Sequence, residues 1–569
     1  KDHRLHQGQK IMSDKENFKA AWGAHESAVR EWQGRIDKQG LVKKLWEKDA
    51  SLWTKNPEGQ KEARNRLGWL TAPEQGLAAV AEINAFAGEI KQDGFRHILL
   101  LGMGGSSLAP EVFQAVFGNA EGLPALTVLD STDPGRVRDI EAAIDVERTL
   151  FIVASKSGGT IELVSFFKYF YAKVKEKKGD AAGGQFVAIT DPGTPLADLA
   201  ARHGFRKVFL APAEVGGRFS ALTYFGLVPA ALIGVDIQKV LEGANAMAAR
   251  CAAAADENPA VPLGVAMAVL AEEGRDKLTF VTSGGLEPFA DWAEQLVAES
   301  TGKEDTGIIP VVREAPATAK HYGADRFFVA LLRADDAASL KRLKTLEKAG
   351  HPTLIFDWTS PEILGAEFFR WEMATAIACA LLKVNAFDQP DVQSAKNKTQ
   401  SLLKQMESEG RSEVKAAARD FETFWENTEA GDYVALLAFL PGRPQLVAKL
   451  HALQAEIRDL TRLATTVGLG PRYLHSTGQL HKGGPNKGVF LLVTAAQKED
   501  LAIPGEKYGF AQLELAQAMG DFEALESKGR WLLHIRLNEA SEAEVDRFSQ
   551  EVIKVLKARA ASEKELQNS

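Results

Sequence analysis

Two short turns, rich in glycine and hydroxyl side chains, carry the most specific chemistry in the sequence. Gly102-Met103-Gly104-Gly105-Ser106-Ser107 follows the apolar run HILLL, and Ser155-Lys156-Ser157-Gly158-Gly159-Thr160 follows TLFIVA. Each turn opens a helical stretch. Glycine lets backbone N–H groups approach an anion closely, and a helix start adds unpaired donors and the positive end of a dipole. The hydroxyls of Ser106, Ser155, Ser157 and Thr160 are neutral donors, while Lys156 supplies one point charge. These are the parts of a phosphate cradle. A third element, Glu214-Val215-Gly216-Gly217-Arg218-Phe219-Ser220, sets paired glycines beside a lone cation. Other readings compete at each place. Ser and Thr also serve as plain helix caps, and Arg218 can be a surface residue in a turn. Gly102–Ser107 followed by a strand ending in Asp130 imitates a dinucleotide fingerprint. There, however, the third glycine position is Ser107, and a second hydroxyl-rich turn has no place in such a domain.

The elements that position these turns follow from hydrophobic patterning. HILLLGMGG, LTVLDSTD, TLFIVASKSGG, QFVAITDPG and RKVFLAPAE are short apolar runs ending in Gly, Asp, Ser or Pro, separated by amphipathic helical stretches. This alternation indicates parallel βαβ units with both sheet faces covered, and such sheets bind ligands beyond the carboxyl ends of their strands. A helical stretch over 222–275 leads to a second such region, KLTFVTSGG, DRFFVALL and HPTLIFDW, then the helix EFFRWEMATAIACALLKV. The segment 388–420 reads as a helix running into a polar connector. YVALLAFL, VFLLVT and RWLLHIRL mark a third strand-rich region, and the last ten or so residues read as frayed. Residues 1 to about 75 read as helices carrying five of the ten tryptophans, spaced as for docking onto a larger body. The expected division is 1–75 helical, 76–240 a first α/β lobe, 241–410 a second, and 411–569 an added C-terminal α/β region.

Composition narrows the function. A 569-residue chain with 45% hydrophobic and 25% charged residues has ample material for a large core without disulfides or structural metal. Its two cysteines, Cys251 and Cys379, fit a reducing compartment. The net charge of −8 argues against a nucleic-acid binder, so a phosphorylated ligand must be captured by local donors. The opening KDHRLHQGQK is not a signal peptide, and the longest apolar stretch, Ala221–Val235, is interrupted by Pro229 and too short to span a membrane. We expect a cytoplasmic protein without a membrane or nucleic-acid partner. The start at Lys1 fits a piece of a longer chain.

In order, LGMGGSSL, SKSGGTIE and VGGRFSALTYFGL resemble the glucose-6-phosphate isomerase family. Two later motifs extend the likeness: AEQLVAESTGK, resembling the family's Glu-Ser-x-Gly-Lys segment, and VNAFDQP with Lys396 beyond it. The resemblance spans about residues 75–410. It implies two doubly wound sugar-isomerase lobes sharing one active site, and no metal or cofactor. Carried over position by position, Gly105, Ser106, Ser155, Ser157 and Thr160 would hold the sugar phosphate with Lys156 nearby. Glu299 would shuttle the proton between C1 and C2, and Arg218 would stabilise the cis-enediolate. Gln389 would hold substrate and Lys396 would assist ring opening or oxygen stabilisation.

The sequence departs from the common family pattern in one respect. There a ring-opening histidine, in a His-Ser-x-Gly-Gln-like motif, lies between the catalytic Glu and the Gln…Lys segment. Here that interval holds His321 and His351 in other contexts, and the matching motif, Tyr473-Leu474-His475-Ser476-Thr477-Gly478-Gln479, comes later. His475 is the expected ring-opening residue and His321 the fallback. A zinc site at His475 and His481 is disfavoured, since an i, i+6 spacing does not share a helix face. In the family the partner subunit contributes this histidine; a motif on an added C-terminal region lets one chain complete its own site, so homodimer and monomer both stand. The long form also resembles the isomerase half of fusions with transaldolase. The implied reaction is glucose 6-phosphate to fructose 6-phosphate. An isomerase for another hexose phosphate, a non-catalytic sugar-phosphate-binding regulator and a nucleotide-dependent oxidoreductase are the alternatives.

Overall fold

The long apolar runs are strands buried along nearly their whole length, which requires cover on both faces. A computed structural model describes residues 18–409 and 421–568. The opening KDHRLHQGQK and most of the polar connector lie outside them. In chain order the strands are β1 (Phe18–Ala21), β2 (His97–Gly102), β3 (Ala125–Leu129), β4 (Thr149–Ala154), β5 (Phe186–Thr190), β6 (Lys207–Leu210), β7 (Lys277–Thr282), β8 (Ile309–Val311), β9 (Arg326–Leu332), β10 (Thr353–Asp357), β11 (Tyr433–Phe439), β12 (Ala464–Leu469), β13 (Gly488–Ala495) and β14 (Trp531–Leu537). They form three sheets, ordered β3-β2-β4-β5-β6, β8-β7-β9-β10-β1 and β12-β11-β13-β14. All neighbouring strands run parallel except β1, which is antiparallel to β10.

The chain has the expected class: two doubly wound lobes, an N-terminal region that is mostly helical, and an added C-terminal α/β region. Among the parallel strands of each sheet, the second in sequence lies on one side of the first and the third on the other. The crevice at that reversal is where such sheets take ligands. It falls at β2/β4 in the first sheet.

Three strands escaped the sequence reading for physical reasons. β1 is a four-residue edge strand, FKAA, inside the region expected to be helical. β8 is three residues long and contains Pro310. β12, ATTVGL, is only weakly apolar. At the other end, the helix Glu542–Asn568 continues through residues expected to fray.

The three regions are packed into one another. One face of the first sheet (Ile98, Leu100, Ile152) shares a core with the second sheet (Leu278, Phe280, Val329) and with the N-terminal Trp53 and Trp69. Its other face (Leu99, Leu101, Phe151, Val153) is covered in part by Phe510, Leu513 and Ala516 of the Phe510–Ser527 helix. The third sheet lays Leu437, Phe490 and Leu492 against Ala298, Ile309 and Val311 of the second lobe. Each large side chain so buried contributes about 1.5–3 kcal/mol. The C-terminal region is therefore bonded to both lobes through apolar surface. Cys251 and Cys379 are buried and free. Among the described residues no helix is long and apolar enough to cross a membrane.

Candidate active site

The hydroxyl-rich turn after β4 folds on itself. Ser155 Oγ accepts the Gly158 N–H at 3.1 Å and lies 3.0 Å from Thr160 Oγ1. Thr160 is the N-cap of the Ile161–Lys178 helix, and Ser107 that of the Leu108–Phe117 helix, yet neither makes a side-chain cap hydrogen bond. The simple capping alternative fails for both turns. At the Ile161 helix the first N–H groups are left for a ligand.

The glycines of the first turn have a second duty. A Cβ on Gly105 would stand 2.0 Å from the Gly217 carbonyl oxygen, and one on Gly104 would stand 2.6 Å from that of His475. The turn is thus the surface on which both the Arg218 loop and the His475 loop rest. Asp130, which a dinucleotide would need for its ribose, is instead taken by Arg472, which also binds Glu111.

Arg218 is buried, and its guanidinium is fully employed. Nε donates to Ser300 Oγ at 2.9 Å, Nη1 donates to Gln389 Oε1 at 3.0 Å, and Nη2 donates to the carbonyls of Ala386 and Asp388. Nη1 also stands 3.0 Å from Glu299 Oε1. Behind it, Phe219 packs on Trp69 and Phe387, with ring centroids 5.3 and 5.4 Å apart, and Phe387 meets Trp53 edge-on at 4.9 Å. Two of the tryptophans expected only to dock the N-terminal region therefore brace the arginine. Lys303 completes this side: its ammonium donates to the Ser300 and Asn385 carbonyls and pairs with Asp388 at 3.1 Å. Burial first, and the Arg218 charge second, pull its pKa down to about 8.

His475 lies across a cavity lined by Ser157, Thr160, Glu162, Lys396, Lys482 and Gln517. Its Nε2 is 2.8 Å from Glu162 Oε1, which also accepts from Gln517 Nε2 at 2.7 Å. Burial alone would raise the Glu162 carboxyl, but the His475 ring and the Lys396 charge outweigh it and hold the carboxyl below its ordinary value. An ionised Glu162 only accepts, so His475 Nε2 is the donor of this bond. Gln295 joins the two halves: its Nε2 donates to Glu299 Oε2 at 3.1 Å and to the His475 carbonyl at 2.7 Å.

Most of the sequence-derived residues thus meet. Ser157, Thr160, Lys396 and His475 line one cavity, with Ser155 behind Thr160 and Gly105 beneath Arg218. Arg218, Glu299 and Gln389 form the adjoining cluster. Ser106 is buried in the turn after β2. Lys156 turns away: its ammonium is held by Asp191 and, at 3.0 Å, by the Ala213 carbonyl. The fallback His321 stands 3.1 Å from Asp459 Oδ1, away from the cavity. His481 is a core residue, its Nδ1 3.0 Å from the Tyr433 hydroxyl. Among the described residues no cluster of metal-ligating side chains occurs.

Three participants escaped sequence reasoning. Gln295 precedes Glu299 by one helical turn, a spacing that places both on one face. Glu162 follows Thr160 within the second turn's own motif. Gln517 has no local signal beyond being polar in an otherwise buried helix.

A profile of the phosphoglucose isomerase family matches residues 82–324. A glucose-6-phosphate isomerase of Carboxydothermus hydrogenoformans is 30% identical over 436 residues, 67% of this chain and 92% of that one. One from Rubrobacter xylanophilus is 31% identical over 366 residues, 56% of this chain and 84% of that one. Among solved structures, a hypothetical protein of Thermus thermophilus superposes with a TM-score of 0.59 at 25% identity, covering 68% of this chain and 99% of that one. A glucose-6-phosphate isomerase of Chlamydia trachomatis gives 0.51 at 20% identity over 67% and 86% of the two chains, a likeness of fold. On the extent and identity of these matches, the chain belongs to the glucose-6-phosphate isomerase family.

Proposed function

We propose that this chain interconverts glucose 6-phosphate and fructose 6-phosphate by ring opening and a cis-enediolate. The observation that carries the reading is the Gln295 amide, which ties a carboxylate–guanidinium pair to the loop of a histidine–carboxylate pair. Aldose–ketose exchange needs both: one acid–base group at the ring oxygen and one base beside a carbonyl.

The phosphate sits on Ser155, Ser157 and Thr160, the start of the Ile161 helix and Ser106. These donors bring no charge, which suits a ligand drawn in locally by a chain of net charge −8. His475 moves a proton between the anomeric hydroxyl and the ring oxygen, and Glu162 stabilises the imidazolium. Glu299 takes the proton from C2 and returns it to C1, or the reverse. Gln295 donates to Glu299 and Arg218 pairs with it in the resting site, and together they fix its orientation. As negative charge develops on the enediolate oxygens, Arg218 is a fixed, desolvated cation that needs no reorganisation to stabilise it. Lys396 adds a second positive charge facing Glu162 and the open cavity. Gln389 holds Arg218 and borders the sugar.

We also read the catalytic unit as a single chain, because His475 reaches the Glu162 of its own first lobe. The test is direct. The purified chain is given fructose 6-phosphate with no added cofactor, with and without chelator, and glucose 6-phosphate is measured beside mannose 6-phosphate and amino-sugar phosphate controls. Conversion confined to the glucose/fructose pair is expected. Binding without conversion would mean a regulator, and preference for another pair would move the substrate.

A further inference from the structure

We propose that Asp521 is the positioning residue for ring opening: from the Phe510–Ser527 helix it clamps both flanks of the loop that carries His475. The proposal rests on the role given to His475 above. Asp521 is fully buried. Its Oδ2 accepts the Tyr473 hydroxyl at 2.7 Å, and its Oδ1 accepts the Lys482 ammonium at 2.6 Å. Tyr473 lies two residues before His475 and Lys482 seven after, so one carboxylate closes the loop at each end.

The same helix holds the other half of the pair. Gln517 stands one turn before Asp521, and residues four apart share a helix face. Its amide oxygen accepts from Thr132 Oγ1 at 2.7 Å, which orients its Nε2 toward Glu162 Oε1, also at 2.7 Å. Glu162 in turn is the partner of His475 Nε2. The face of one helix therefore sets the separation between the imidazole and its carboxylate. The Arg218–Glu299 cluster is held by other groups: Ser300, Gln389 and the Ala386 and Asp388 carbonyls.

The energetics favour a rigid device. A buried carboxylate with one hydroxyl and one ammonium donor has both oxygens satisfied, and removing its charge leaves Lys482 buried and unpaired. A second, looser conformation of the loop would have to break these bonds at a carboxylate that is fully buried. Lys482 also lines the substrate cavity, so the clamp forms part of its wall.

The test uses the full chain with 15N-labelled imidazole rings, the His475 signals assigned with His475→Gln. In the parent chain His475 should show a single tautomer with the proton on Nε2. In Asp521→Asn the two ring nitrogens should average, and kcat on fructose 6-phosphate should fall at least tenfold with KM changed less than threefold. Tyr473→Phe, which cuts one of the two bonds without stranding a charge, should shift both readouts in the same direction by a smaller amount and covers the case in which Asp521→Asn does not fold. A folded variant with an unchanged His475 tautomer, or with full turnover, overturns the clamp. If the parent chain does not isomerise at all, the functional reading falls while the tautomer readout still decides the positioning.

Discussion

Arg218 and Glu299 are neighbours in the resting site, so the base and the cation that we propose for the enediolate step stand together before substrate arrives. Replacing Glu299 should be the more costly change: Glu299→Gln keeps an acceptor for the Gln295 amide but removes proton transfer, and kcat should drop about a hundred- to ten-thousand-fold. His475→Ala should behave differently. It should slow turnover of fructose 6-phosphate while sparing 5-deoxyfructose 6-phosphate, which lacks the oxygen that closes the ring; equal losses on both would remove His475 from ring opening. At this scale the grouping of the candidate residues was legible in the sequence, because those of each turn are contiguous and Ser157 and Thr160 line the same cavity. What was not legible was orientation. Lys156 carries the right charge in the right turn, yet Asp191 and the Ala213 carbonyl claim it. Glu162 sits in the same motif, and only the fold reveals that it faces a histidine 313 positions away.

The turns and helices that hold these groups do so by close approach. Gly105→Ala would push a methyl group onto the Gly217 carbonyl, which is backbone and cannot swing aside. We expect a loss of about 1–3 kcal/mol, read as a lower unfolding midpoint, with lower kcat because the displaced loop carries Arg218. The helix Glu287–Thr301, which presents Gln295 and Glu299, also carries Glu294, whose pKa is raised to about 8 by burial first and the Asp291 charge second. A carboxyl raised in the native state stabilises fully below its unfolded value near 4.5 and loses that contribution as pH rises through about 8. Glu294→Gln should therefore match the parent chain at pH 4.5 and become progressively more stable than it towards pH 8.5, measured by denaturant midpoints across that range. Element type followed from patterning, since short apolar runs such as TLFIVA end in turn residues and alternate with amphipathic helical stretches. β8 and β12 did not, because a three-residue strand with a proline and a threonine-rich strand take their identity from the sheets they join.

In the whole molecule, the third sheet places the loop after β12 against the carboxyl ends of the first. The order of motifs in the sequence implied that His475 had moved to the C-terminal region; that the region packs on both lobes through separate apolar faces could not be read from order alone. If one chain completes its own site, specific activity should stay constant when the enzyme is diluted from micromolar to subnanomolar concentration, and a loss that tracks dissociation of a dimer would assign His475 to a shared site. Proton transfer by Glu299 through an enediolate is tested by isomerising fructose 6-phosphate in D2O and following the product by NMR. We expect deuterium at C2 of the glucose 6-phosphate formed, and almost no product from Glu299→Gln. Complete conversion without any deuterium at C2, or a Glu299→Gln enzyme that keeps its rate, would contradict it.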